Sequence, residues 1–236
     1  NNEIVSKHLG FINEAVGRAS SFVKEFLNLA KPSETFFQKA EIKDIINKAI
    51  ELFQLKIRVD KIDFQISFVE ELLPTYCDVN KMIQVFINLF DNARDAMNGS
   101  GEITIRAICR KITPDDILVE DQLKRRSSDP PRSKLLNFRK FHLHDTSKLP
   151  PLFEPDAPII QIEVSDNGPG LSPTLLERVC EPFFSTKSGN GSGLGLTISQ
   201  GIIREHHGCL NLISQPGEGL TAIIKLPTYA TMANFE

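Results

Sequence analysis

Two asparagines one helical turn apart, Asn88 and Asn92, interrupt an otherwise apolar stretch, Lys81-Met-Ile-Gln-Val-Phe-Ile-Asn88-Leu-Phe-Asp-Asn92-Ala-Arg-Asp95-Ala-Met97. Asparagine is a mediocre mid-helix residue, so a pair at i and i+4 points to the wall of a polar pocket. A solvated helix face is the simpler alternative, since Gln84, Asp91 and Asp95 fall on the same side. Further on, Glu163-Val-Ser-Asp166-Asn-Gly168-Pro-Gly170 sets a carboxylate at the end of an apolar run. Such a group can accept a hydrogen bond from an exocyclic amine, and the glycines keep side chains out of the path of a flat ring. An ordinary Asn-Gly turn has the same spelling. Glu181-Pro-Phe183-Phe184-Ser-Thr186-Lys187 offers two aromatics to pack a lid and a lysine able to reach a polyphosphate. Gly191-Ser192-Gly193-Leu194-Gly195-Leu196 then opens a helix, where unpaired N–H groups and the positive dipole end suit phosphate, although a hinge would use similar residues.

These segments need a scaffold, and hydrophobic periodicity outlines one. Ile42 to Phe53 predicts an amphipathic helix, Ile62 to Phe68 an alternating strand, and Val79 to Met97 the long helix with the asparagines. Asn98-Gly99-Ser100-Gly101 turns the chain into a strand holding Ile103 and Ile105. Ile159 to Val164 is a further strand, Ser172-Pro173 caps a short helix, and Leu194 to His206 is a third long one ending at Gly208. Two strands around Gln215 to Gly219 close the pattern. Between the strands, Lys111 to Pro158 holds seven of the fourteen prolines, far more chain than a hairpin needs, and is expected to be an insertion. Its basic run from Lys124-Arg125-Arg126 to Arg139-Lys140 could dock a partner or lie solvated. At the other end, Val5, His8, Ile12, Ala15, Ala19, Phe22, Phe26 and Leu29 step by threes and fours until Lys31-Pro32, a seam broad enough for a helical bundle.

Taken in order, the asparagine helix, Asp166-Asn-Gly168-Pro-Gly170, Glu181-Pro-Phe183-Phe184 and Gly191-Ser192-Gly193-Leu194-Gly195-Leu196 resemble the N, G1, F and G2 boxes of the histidine kinase branch of the GHKL ATPase superfamily. The resemblance implies an α+β fold, a two-layer α/β sandwich of about five mixed strands with three helices (the Bergerat fold), preceded by a long dimerisation-type helix. It divides the chain into residues 1–32, the second helix of a dimerisation and phosphotransfer hairpin, and 33–236, an ATP-binding catalytic domain with the insertion at 111–158. It implies ATP and Mg2+, with Asn92 as metal ligand and Asn88 in the catalytic position. Asp166 would read the adenine amine, with Gly168 and Gly170 giving the ring access. Asn88, Asn92, Asp95, Phe184, Thr186, Lys187, Gly191, Ser192, Gly193, Leu194, Gly195 and Leu196 would line the rest of the nucleotide site. In the superfamily's hydrolytic members a glutamate stands where this chain has Asn88. A carboxamide cannot act as a general base, which favours transfer over hydrolysis.

One departure lies at Gly217-Glu218-Gly219-Leu220-Thr221, where the family usually has threonine or serine directly after the second glycine, so no firm nucleotide contact is assigned there. The implied function is transfer of the ATP γ-phosphate to a histidine on a dimerisation domain mostly absent from this chain. The alternative is a degenerate GHKL ATP-binding regulatory module without kinase chemistry. Implied partners are the histidine-bearing helix of the same protein, a response regulator receiver domain, and a second copy in the full-length protein. Of the five histidines, His8 lies on the helical seam, His206 and His207 at a helix end, and His142 and His144 in the insertion; His144-Asp145 has its proline, Pro150, one position late for the family's histidine box.

Composition narrows the field. A net charge of −3 gives no global pull toward nucleic acid or membrane. Cys77, Cys109, Cys180 and Cys209 are too scattered for a zinc or redox motif. No apolar run is long enough for a membrane span, so a cytoplasmic setting is expected, with a parent protein that could be anchored.

Overall fold

The computed structural model describes residues 8–9, 35–57, 60–69, 71–112, 156–185 and 192–233. The elements are β1 (Gln38–Ala40), α1 (Ile42–Lys56), β2 (Lys61–Phe68), β3 (Thr75–Cys77), α2 (Val79–Ala96), β4 (Ser100–Lys111), β5 (Pro158–Asp166), α3 (Pro173–Leu176), α4 (Gly195–Glu205), β6 (Cys209–Ser214), β7 (Leu220–Pro227) and α5 (Tyr229–Ala233). The 1–32 helix lies outside the described residues apart from His8 and Leu9, which are helical and exposed.

Five strands form one mixed sheet in the order β2-β4-β5-β7-β6, and β1 pairs with β3 in a small second sheet. Only β2 and β4 are parallel within the five, and the long crossover that a parallel pair requires runs through α2. Alternation gives the sheet two chemically distinct faces. Ile103, Ile105 and Ala107 of β4, Ile160, Ile162 and Val164 of β5, and Ala222, Ile224 and Leu226 of β7 are buried together with the inner sides of α1, α2 and α4. The opposite face carries polar residues, among them the chain Arg110 Nε to Gln161 (2.7 Å) and Gln161 Nε2 to Glu163 (2.6 Å).

Each helix buries the stripe its periodicity predicts. Ile42, Ile45, Ile46, Ala49, Ile50 and Phe53 of α1 go inward, as do Met82, Val85, Phe86, Leu89, Phe90 and Ala93 of α2. Phe53, Phe64 and Phe90 meet edge to face, with centroids 5.2 to 5.9 Å apart, and join α1, β2 and α2. The expected hairpin runs slightly further than its sequence suggests. Lys111 pairs with Pro158, and Ile112 donates to the Ala157 carbonyl while packing on Ile159. Residues 113–155 lie outside the described residues. The three-residue strand β3 and the short α5 carry too few residues to show a period, and the sequence offers no sign of them.

The far end of α2 is fastened by His206. Asp78 caps α2 by accepting from Lys81 N at 3.1 Å, and its carboxylate also accepts from Phe36 N. The backbone N–H of Asp78 donates to His206 Nε2 at 2.9 Å, so the ring proton must sit on Nδ1, which donates to the Ile202 carbonyl at 2.7 Å. Phe37 packs on the ring at 5.0 Å. Burial lowers the His206 pKa and, at the next position, that of His207. Their unfolded counterparts take up protons as pH falls below the ordinary histidine value while the folded rings resist. Stability conferred near neutrality is therefore lost toward acid.

Two outcomes follow. The melting temperature, followed by circular dichroism, should drop by several degrees between pH 7.5 and 5.5. His206→Gln should melt lower at pH 7.5 but show a smaller acid drop. Joining Ile112 to Ala157 through an Asn-Gly turn should preserve the melting temperature within a few degrees, because the β4–β5 ladder ends there. Loss of cooperative melting in that deletion would show that the core extends into the insertion.

Candidate functional site

The site is built where the C-terminal half of α2 meets the N-terminus of α4. Asn88 donates from Nδ2 to the Gly195 carbonyl (3.2 Å) and to Ser199 Oγ (3.3 Å), so the first asparagine clasps α4. Asn92, one turn on, has a buried Nδ2 with no hydrogen-bond partner among the described residues. A buried amide without a partner costs about 1–3 kcal/mol, so this nitrogen calls for an acceptor that the described residues do not supply. Asp95 is less available than its spacing suggests. Arg94 grips its Oδ1 through Nε at 3.0 Å and a terminal nitrogen at 2.6 Å, and also reaches Asp91 at 3.1 Å. Lys56 takes the other side of Asp91 at 2.7 Å. The polar face of α2 thus holds one amide bonded to α4 and a second one turn on, flanked by an ion-pair network.

Asp166 ends β5 on the helix-facing side, following Ile160, Ile162 and Val164 at every second position. Its Oδ1 accepts from Gly168 N at 2.9 Å and Leu220 N at 3.3 Å. Burial raises its pKa, and the two N–H bonds oppose that shift without cancelling it. The glycines after it differ in purpose. A Cβ on Gly168 would lie 3.4 Å from Ala96 and 2.8 Å from Asp166 Oδ1, at the end of α2, where a ring beside Asp166 would pass. A Cβ on Gly170 would lie 1.9 Å from the Gln215 carbonyl oxygen, so this glycine, expected to give a ring access, is required by the docking of the β6–β7 turn. Gly217 N donates to the Pro169 carbonyl at 2.7 Å in the same contact.

The register of β7 accounts for the displaced threonine. Leu220 takes the inward position and packs on the core, while its N–H serves Asp166. Thr221 is thereby turned to the outer face, where its hydroxyl meets Ser165 Oγ at 2.8 Å. One residue of offset in a strand exchanges faces. Leu220 N and Asn167, whose Oδ1 accepts from Glu102 N at 3.0 Å, are supports the sequence reading did not single out.

The segment before α4 is folded against its start. Phe183 N donates to the Gly193 carbonyl at 3.0 Å, and a Cβ on Gly193 (φ +67°) would lie 2.6 Å from the Phe183 carbonyl carbon. Phe183 itself has φ +64°, an uncommon conformation for a bulky residue, and its ring is 55% exposed. Phe184 lies under the Arg178 guanidinium, 4.5 Å from the ring centroid. Ser192 Oγ accepts from Leu194 N at 3.3 Å, and Leu194 is fully buried. No side chain caps the N-terminus of α4 among the described residues, so the N–H groups of its first turn have no side-chain acceptor there. Thr186, Lys187 and Gly191 lie outside the described residues. Ser199 was missed by sequence reasoning, although a serine among Ile198, Ile202 and Ile203 on the inward side of a helix was a legible signal.

Residues 149–230 match the family described as histidine kinase-, DNA gyrase B-, and HSP90-like ATPase. The chain is 31% identical over 219 residues to the sensor kinase CckA of Brucella abortus (strain 2308), covering 92% of this chain and 20% of that protein. To sporulation kinase E of Bacillus subtilis (strain 168) it is 27% identical over 222 residues, covering 93% of this chain and 24% of the relative. It therefore spans a quarter or less of the length of these two relatives. Among solved structures, the catalytic domain of histidine kinase ThkA superposes with a TM-score of 0.55 at 25% identity, covering 82% of this chain and 96% of that one. ThkA in complex with the response regulator protein TrrA superposes with a TM-score of 0.63 at 24% identity, covering 97% and 52%.

Asp166→Asn provides a direct check. The amide oxygen can still accept from Gly168 and Leu220, and a buried charge is removed, so the melting temperature of the unliganded variant should be equal to or above that of the parent. An amide is a weaker acceptor for a purine amine, so ADP affinity measured by calorimetry should fall about ten-fold or more, as expected for a hydrogen bond to a charged group. In the parent, affinity should decline as pH is lowered, starting above the ordinary aspartate range.

Proposed function

We propose that this chain, which belongs to the histidine kinase-, DNA gyrase B- and HSP90-like ATPase family, is the phosphate-donor half of a sensor histidine kinase, passing the ATP γ-phosphate to a histidine carried outside its catalytic domain. The observation that carries this reading is Asn88. It stands where the hydrolytic relatives are expected to have glutamate, and its NH2 group is spent on α4. With no carboxylate there to deprotonate water, bound ATP is held for a better nucleophile than water.

The chain's own groups divide the work. Asp166 accepts the adenine amine, and Gly168 leaves room beside it for the ring. The uncapped N-terminus of α4 turns its N–H groups to the phosphates, aided by Lys187. Phe183 and Phe184 let the segment before α4 close over the nucleotide and exclude water. Asn92 suits magnesium: its amide has a buried nitrogen with no partner among the described residues, and magnesium prefers oxygen ligands and takes few from the protein, completing its shell with phosphate and water. Turning the Asn92 amide would present its oxygen, and the ion, when bound, neutralises charge on the phosphates.

The accepting histidine belongs to the hairpin to which residues 1–32 are assigned, and the same histidine would feed a response regulator receiver domain in a dimeric parent. Within this chain His206 is fully engaged at both ring nitrogens and buried, which disqualifies it as an acceptor. No helix among the described residues is long and apolar enough to cross a membrane.

Incubating the chain with γ-labelled ATP and magnesium should leave it without acid-labile, base-stable label, whereas adding a helical hairpin with a histidine box should produce label on the hairpin. Asn92→Ala should abolish most of that transfer, with the loss concentrated in the magnesium-dependent part. Tight ADP binding without transfer to any hairpin would favour the regulatory-module alternative, and label on the isolated chain that is lost in His8→Ala would place the acceptor inside it.

A further inference from the structure

We propose that Ser199 is a positioning residue for phosphoryl transfer, acting through Asn88; the inference rests on the kinase reading above. Ser199 is fully buried one turn into α4, beside Ile198, Ile202 and Ile203. Its Oγ donates to the Gly195 carbonyl at 2.9 Å, which uses its single proton. Toward Asn88 Nδ2, 3.3 Å away, the hydroxyl can only accept. The Gly195 carbonyl, 3.2 Å from the same nitrogen, can also only accept. Both neighbours demand a donor, so the Asn88 amide must present NH2 to α4 and turn its oxygen away. Hydrogen-bond chemistry thus removes the end-for-end ambiguity of a carboxamide.

The consequence lies at the reacting end of the nucleotide. Asn88 and Asn92 share one face of α2 at i and i+4, and the Asn92 Nδ2 has no hydrogen-bond partner among the described residues. An Asn88 oxygen held away from α4 is a fixed acceptor near the expected γ-phosphate, able to orient the N–H of an incoming imidazole without removing a proton from water. Without the Ser199 hydroxyl, the Gly195 carbonyl alone restrains the amide, and its oxygen is no longer held in one place. The adenine end, at Asp166, does not contact Ser199.

The test uses the chain with a histidine-box hairpin as phosphate acceptor. Ser199→Ala should lower kcat about ten-fold, equivalent to about 1.4 kcal/mol. KM for ATP and affinity for ADP should stay within about two-fold. Asn88→Ala should be slower still, and the double variant no slower than Asn88→Ala, since a residue acting through another adds nothing once that other is gone. Transfer by Ser199→Ala at the parent rate overturns the inference, as do multiplicative losses in the double variant or ADP affinity falling in step with kcat. Those outcomes leave the kinase reading standing, whereas a parent chain that binds ADP and transfers nothing refutes both. Should Ser199→Ala not fold, Ser199→Thr and Ser199→Val carry the test. Threonine keeps a hydroxyl that can donate to the Gly195 carbonyl and accept from Asn88, so it should transfer at near the parent rate, and valine, of similar shape without the hydroxyl, about ten-fold slower. Equal rates in the two overturn the proposal.

Discussion

Helix α2 has to satisfy two surfaces at once. Its inner side buries Met82, Val85, Phe86, Leu89, Phe90 and Ala93 against the sheet and α1, while its polar edge bonds Asn88 to α4 and carries Asn92 one turn on. Fully burying a large apolar side chain contributes about 1.5–3 kcal/mol. A buried amide lacking a partner costs about 1–3 kcal/mol. Six inward apolar residues therefore outweigh one unpaired asparagine, and the fold can carry Asn92 as a functional liability. Asn88 costs less, because its nitrogen is bonded to α4. The same bonds that relieve its burial also hold the start of α4 in place.

The other half of the site depends on strand register. Asp166 reaches the helix side because it continues the inward alternation of Ile160, Ile162 and Val164, and β7 answers it with a backbone N–H. Shifting threonine by one residue, from the position of Leu220 to that of Thr221, moves the hydroxyl through the sheet to Ser165. What this site loses in a side-chain hydroxyl it retains in part as the Leu220 N–H, which holds Asp166 in orientation. The β6–β7 turn is seated on the loop after Asp166 by the close approach at Gly170 and the bond from Gly217 N to the Pro169 carbonyl. Before α4, Phe183 is exposed in a left-handed conformation.

At the opposite ends of the same helices, Asp78 and His206 join the N-terminus of α2 to the C-terminus of α4 and to the segment around Phe36 and Phe37. α2 and α4 are thus tied at two places, by a neutral imidazole at one end and a carboxamide at the other. Both ties use side chains whose donor and acceptor roles are forced by their neighbours, which gives the helix pair a defined geometry rather than a merely hydrophobic association.

Much of this was legible in one dimension. The apolar periods of α1, α2 and α4 and the alternation of β2, β4, β5 and β7 follow from local sequence, because burial on one side imposes a 3.6- or 2-residue repeat on the chain itself. The four polar segments were likewise visible as residue types at odds with their surroundings, and their order carried the resemblance. Tertiary structure decided what those residues do with their hydrogen bonds. Asn88 and Asn92 are identical in type and lie on one helix face, yet one is clasped by Gly195 and Ser199, more than a hundred residues away, and the Nδ2 of the other has no partner among the described residues. Asp95 looked as available as either until Arg94 closed on it. Gly170, expected to open space for a ligand, has a second reason to be glycine in its contact with Gln215. Such assignments depend on which distant backbone arrives within about 3 Å of a donor or acceptor, a distance set by the packing of whole elements and absent from any local pattern.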